Sequence, residues 1–146
     1  MRSAHVLGGG AQEFTGRLAH YVGHITRGTP LLVHAEALPT VFIHYEEPAD
    51  LLLWAATGTD AAGPVNACSD GLLDVRGLAA VIAARTGRQA VFRSVVAGEP
   101  ASPFSFDRHY ATSNARAKAI GFRFSHTTDW LPGAVTEALD ASGAHA

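Results

Sequence analysis

The stretch VFIHYEEPAD, Val41–Asp50, changes character halfway. Val41 to Tyr45 is short, apolar and rich in β-branched and aromatic residues, which reads as a buried strand. Glu46-Glu47-Pro48 then opens a helix. The carboxylates suit the positive end of a helix dipole, and proline suits a first turn. A strand running directly into a helix is the unit from which α/β domains are built. The same alternation extends in both directions. Upstream, Ala4–Leu7 reads as a strand ending in Gly8-Gly9-Gly10, and Leu31–His34 as another. Between them Phe14, Leu18, Tyr21, Val22 and Ile25 mark one apolar helix face, closed by Gly28 and Pro30. Downstream, the helix carrying Leu51–Trp54 stops at Gly58, and Val65–Cys68 reads as a strand. Asp74 caps a helix bearing Val75, Leu78, Ala79, Ile82 and Ala83, which ends at Gly87. Ala90–Val96 is a further strand, and short helices are expected over Ser113–Ile120 and from about Trp130 to Leu139. The expected organisation is one α/β domain over residues 1–139, with 140–146 as a flexible tail.

Composition narrows the function. The chain has 146 residues, 47% of them apolar and 16% charged, with a net charge of -2. It is too apolar for a disordered chain and large enough for one core. Neither a basic field for nucleic acid nor a polybasic run for an anionic membrane is present. The longest apolar run, Ala49–Ala56, is broken by Asp50 and is far too short to span a bilayer. Cys68 is the single cysteine, so an internal disulfide and a paired-cysteine zinc site are excluded. One lone cysteine fits the reducing cytoplasm. Ten of the 11 basic residues are arginine, which points to a GC-rich bacterial source.

Four segments in order resemble the C-terminal, substrate-binding half of an extended short-chain dehydrogenase/reductase of the NAD-dependent epimerase/dehydratase type. Arg2–Gly10 (RSAHVLGGG) is similar to that family's R-x-x-N-V-Y-G-P-G. Val41–Asp50 is similar to F-x-H-V-D-D-V-A-D, and Pro64–Gly87 to its G-x-x-Y-N-x-G strand with the helix that follows. Ser113–Pro132 (SNARAKAIGFRFSHTTDWLP) is similar to its closing S-x-x-A-x-x-x-L-G-F…W-x-P. The resemblance implies a truncated fold of this type, with short, mostly parallel strands and packed helices. Two family signatures are missing. No G-x-x-G-x-x-G turn lies between a strand and a helix, and Tyr21, Tyr45 and Tyr110 lack a lysine four residues on. The expectation is therefore that the chain takes no nicotinamide cofactor.

The densest chemistry lies in Phe104–Tyr110 (FSFDRHY). In the resembling enzymes this stretch crosses the substrate pocket. Alternation in an extended stretch puts Asp107 and His109 on one side, as a base and its orienter. The alternative is a surface loop anchored by Phe104 and Phe106. His34 ends a strand, and a histidine near neutral pKa can move protons. The expected catalytic residues are His34, Asp107 and His109. The expected substrate-lining residues are Arg17, Tyr21, Tyr45, Phe104 and Tyr110. His20 and His24 stand four apart on one helix, but no third ligand accompanies them and no metal is expected. His44, Glu46 and Glu47 read first as a turn and helix-start set.

These readings favour a cofactor-independent small-molecule enzyme of bacterial specialised metabolism. It would be a cyclase, isomerase or dehydratase that needs only an acid, a base and a shaped pocket. The alternative is a non-catalytic ligand-binding or accessory subunit. In the resembling enzymes Ala4–Leu7 and Val65–Cys68 belong to a sheet completed by an N-terminal half. Without that half, strand edges and apolar faces stand open, and a homodimer is expected to cover them.

Overall fold

Each helix begins and ends where a local signal allows it. In the computed structural model, which describes residues 1–143, α1 spans Arg17–Arg27 and α3 spans Val75–Thr86. Gly28 and Gly87 stop them in the left-handed conformation (φ 68° and 67°), and each donates its N–H back to the last turn. The Asp74 carboxylate caps α3 by accepting the Gly77 N–H at 2.7 Å. At the start of α1 the cap comes from an unexpected place. One oxygen of Glu13 accepts the N–H groups of Arg17 and Leu18 at 3.0 and 3.1 Å. The chain must loop through Gly16 to allow this, so Phe14 lies outside the helix and is fully exposed, contrary to its place in the expected apolar face. Leu18, Tyr21, Val22 and Ile25 are buried as expected.

The strands are short and parallel. β1 (Arg2–Ser3) pairs with β5 (Asn66–Ala67). β2 (His5–Leu7) pairs with β4 (Phe42–His44), and β3 (Leu31–Val33) with β6 (Phe92–Ser94). The chain between Arg2 and Leu7 thus changes partner at Ala4. Ser69 N–H reaches Phe42 O at 2.8 Å, which lays the end of β5 beside β4. Helix α2 spans Glu47–Thr57, with Pro48 in its first turn. A short α4 spans Ala115–Ala119, inside the longer stretch expected there.

The last helix, α5, is longer than expected at both ends, Thr127–Gly143. Thr127, Leu131, Ala134, Val135 and Ala138 form one buried stripe that packs on α1 and α3. The helix continues past Ala138, the last buried residue of that stripe, through 140–143, a stretch expected to be a tail; residues 144–146 lie outside the described part. The main core joins α1, α3, α5 and the inner residues of β2, β3 and β4. A smaller cluster holds α2 and α4 against β5 through Ile43, Leu51, Ala67, Ala117 and Phe124. No helix among the described residues is long and apolar enough to cross a membrane.

Candidate active site

The segment between β6 and α4 is strapped onto the end of β3. Ser102 donates its N–H to Leu32 O at 2.7 Å, and its hydroxyl oxygen accepts the Leu32 N–H at 3.0 Å. The Ser105 hydroxyl oxygen accepts the His34 N–H at 2.8 Å, and Leu38 N–H reaches Phe106 O at 2.8 Å. Tyr21 donates its hydroxyl to Pro103 O. Held at so many points, the chain drives Phe104 inward at φ +67°, the one non-glycine residue with positive φ among those described. Such a backbone costs about 1–3 kcal/mol and persists only where its surroundings over-determine it. The Phe104 ring is buried, edge-on to Phe42 at 5.0 Å and stacked on Tyr21 at 6.2 Å.

This strap forms one wall of a cleft of about 410 Å3, lined by His5, Arg17 and residues 101–106. Its size is in the range of small-molecule sites. The His5 ring sits against Phe104 (5.1 Å) and stacks on Phe106 (5.5 Å, 20°). No hydrogen bond holds its nitrogens among the described residues. Burial lowers the His5 pKa and the Arg17 charge lowers it further, so the imidazole is neutral near pH 7. Arg17 stands over the Phe104 ring at 5.7 Å. A cleft of similar size, about 420 Å3, opens between Asp70, Lys118 and Phe122–Phe124. There Asp70 and Lys118 neutralise each other at 2.6 Å.

The expected site residues distribute unevenly. Arg17 and Phe104 line the cleft, and Tyr21 backs Phe104. His34 lies behind the wall, with Nδ1 3.0 Å from Ser105 Oγ, where it positions the strap. Tyr110 touches the cleft indirectly, 4.5 Å from Phe106. Asp107 and His109 are exposed and make no hydrogen bond to each other. Asp107 instead pairs with Arg108 at 3.3 Å, because the strap ends at Phe106 and leaves the following residues to solvent. Tyr45 does not line the cleft. It packs on Gly8 and His44 and donates to Glu46 Oε1 at 3.3 Å. His20 and His24 are taken up structurally, His20 with Ser102 Oγ at 3.3 Å and His24 with Pro30 O at 3.0 Å.

His5 is the residue that the sequence reading passed over. Its only signal was a histidine where the resembling motif carries asparagine. Burial also lowers the His20 pKa, helped by His24 and Arg27. Below about pH 6.5, where a free imidazole protonates, the unfolded chain binds protons that the folded chain resists. Stability is therefore expected to be fully present above that pH and to fall on acidification. Urea midpoints measured between pH 8 and 5 check this, and the slope should flatten in a His5→Gln, His20→Gln double variant.

No protein-family model and no curated protein sequence matches the chain. Solved structures do. The UDP-glucuronic acid 4-epimerase from Bacillus cereus, in complex with NAD, superposes with a TM-score of 0.72 at 10% identity, over 96% of this chain and 44% of that one. The chain carries part of the short-chain dehydrogenase/reductase fold. A GDP-L-fucose synthetase from Naegleria fowleri bound to NADP gives 0.71 at 14% identity, over 97% and 44%. The UDP-N-acetylglucosamine 4-epimerase from Bacillus cereus gives 0.66 at 16%, over 94% and 45%. The chain thus spans less than half the length of these enzymes.

A dinucleotide needs backbone N–H groups turned toward its pyrophosphate. The triple-glycine loop after β2 does not fit that need. It leads into a single 3-10 turn, Gly10–Gln12, and the Gly9 N–H already donates to the Glu137 carboxylate at 2.9 Å. An anion there would meet an anion.

Proposed function

We propose that the chain is a cofactor-independent small-molecule enzyme that works by acid–base catalysis in the His5–Arg17 cleft. One observation carries this reading. A neutral imidazole without a hydrogen-bond partner among the described residues is held between two aromatic rings in a cleft, with a guanidinium on the same cleft. A ring nitrogen of His5 takes the proton from a carbon beside a carbonyl. The electron pair moves to the carbonyl oxygen, whose growing charge is stabilised by Arg17. Return of the proton to another atom gives an isomerisation. If the imidazolium gives its proton to a β-hydroxyl, which leaves as water while the C=C bond forms, the result is a dehydration. If the carbanion carbon instead attacks a second carbonyl of the same molecule, whose oxygen takes the electron pair and that proton, the result is a cyclisation.

The test is deuterium exchange from solvent into acetylacetone, followed by NMR. Exchange above the buffer rate, reduced at least tenfold in a folded His5→Gln variant, is the expected result. Equal exchange in that variant removes His5 as the base. No exchange above buffer favours the non-catalytic ligand-binding reading.

The reading includes a homodimer. Among the described strands β2 pairs with β4 alone, and Val6 on it is 40% exposed. An open strand edge with an apolar residue invites a second strand. Light scattering at micromolar concentration is expected to give twice the 15.3 kDa chain mass. A stable monomer overturns this part of the proposal.

A further inference from the structure

We infer that the cleft takes an aliphatic 2-oxo acid, with its carboxylate and 2-oxo oxygens on the Arg17 guanidinium and its C3–H facing His5. The inference rests on the cleft being the catalytic site of the proposed enzyme, and it names the substrate class. Three observations lead to it.

The first is the charge of the cleft. Arg17 is the one arginine or lysine that lines it, and no carboxylate pairs with its guanidinium among the described residues. Glu13, the acid nearest to it in sequence, caps the backbone of α1 instead. The His5 imidazole is neutral, so the lining offers one positive charge. A monoanion matches it. A second carboxylate on the ligand would enter the cleft without a partner.

The second is that this one cation must do two tasks. The proposed proton transfer leaves charge on a carbonyl oxygen, and the two wall serines are not free to stabilise it. Ser102 Oγ accepts the Leu32 N–H and lies 3.3 Å from His20 Nε2. Ser105 Oγ accepts the His34 N–H and lies 3.0 Å from His34 Nδ1. Arg17 is therefore both anchor and oxyanion donor. A 2-oxo acid suits that double use, because its 2-oxo oxygen and one carboxylate oxygen lie side by side and take two parallel N–H groups of one guanidinium. His5 then takes the C3 proton. The C–H electron pair becomes the C2=C3 bond, and the carbonyl π pair moves to the 2-oxo oxygen on Arg17. Return of a proton to C3 restores the acid. The Arg17 charge is felt at His5, second only to burial, so base and cation share this space.

The third is the rest of the lining. Half-buried Ala101 and Pro103 offer apolar surface, and with both serines engaged little polar surface remains beyond His5 and Arg17. An alkyl chain beyond C3 needs no hydrogen-bond partner there. A hydroxylated chain would lose its water without replacement.

The experiment is a series on the full chain by calorimetry and by NMR in deuterated water. The probes are 2-oxohexanoate, hexanoate, which lacks the oxo group, 2-hexanone, which lacks the carboxylate, and 2-oxoglutarate, which adds a second one. 2-Oxohexanoate is expected to bind at least tenfold more tightly than each of the others and to exchange its C3 hydrogens above the buffer rate. Arg17→Gln, checked for an unchanged fold by its NMR spectrum, is expected to weaken that binding at least tenfold. Arg17→Lys keeps the charge and loses the paired N–H groups, so it should erase the preference for 2-oxohexanoate over hexanoate. Any of four results overturns the inference: no binding of 2-oxohexanoate at millimolar concentration, equal or tighter binding of another probe, binding without C3 exchange, or binding that Arg17→Gln leaves unchanged. Acetylacetone has the acidic carbon and no carboxylate. If it exchanges while 2-oxohexanoate fails, this inference falls alone; if it does not exchange, the catalytic reading beneath falls.

Discussion

Replacing Glu47 by alanine is expected to lower the unfolding free energy by about 2–4 kcal/mol, the range for removing a charged acceptor from several part-buried donors. Its carboxylate is the junction of three segments. One oxygen accepts both the N–H (2.7 Å) and the hydroxyl (2.9 Å) of Ser125, just before α5. The other accepts the Ser69 hydroxyl, just after β5, at 2.5 Å. Trp130 Nε1 donates to the same Ser69 oxygen at 3.1 Å. Without Glu47 the Ser125 N–H and the Ser69 hydroxyl lose their acceptor in a place with little water. Glu47→Gln keeps one acceptor oxygen and is expected to lose about half as much. Urea unfolding of the two variants checks this. Equal stability of wild type and Glu47→Ala would mean that water replaces the carboxylate.

Phe104 is expected to invert the usual order of truncations. Phe104→Ala should cost about 3–5 kcal/mol, the range for emptying a buried aromatic site. Phe104→Gly leaves the same cavity and ordinarily costs more than alanine, because glycine gains more freedom on unfolding. Here alanine must still adopt φ +67°, which glycine adopts freely. The glycine variant should therefore be about 1 kcal/mol more stable than the alanine variant. Comparison of their denaturant midpoints decides it. The alanine variant being the more stable would show that the strap relaxes when the ring is removed, and that the wall of the cleft is not rigid.

Both predictions concern residues whose identity the sequence made visible and whose role it did not. Glu46 and Glu47 read alike as helix-start charges. Folding separates them. Glu46 stays exposed beside Tyr45, while Glu47 turns inward to groups 22 and 78 residues away. Phe104 was legible as part of a functional stretch, but its neighbours Asp107 and His109 were equally so. Strand alternation, which put those two together, fails because the stretch is a strap rather than a strand.

What the sequence determined by itself is local. Asp74, Gly28, Gly58 and Gly87 set helix ends within one turn of themselves, because a cap acts on backbone groups three or four residues away. The apolar spacing of α1 and α3 named eight of the 17 buried residues of the main core, because a face is a property of one helix. The family-like motifs named the fold through their order along the chain. What only the tertiary structure decided is where distant groups meet. His5 became a cleft residue because parallel pairing with β4 and the strap at 101–106, segments far from it and from each other in sequence, close around it. Its neutral imidazole depends on burial and on Arg17, and neither is a property of the residues beside it in sequence. The buried stripe of α5, from Thr127 to Ala138, was likewise set by the α1 and α3 surface it lies on.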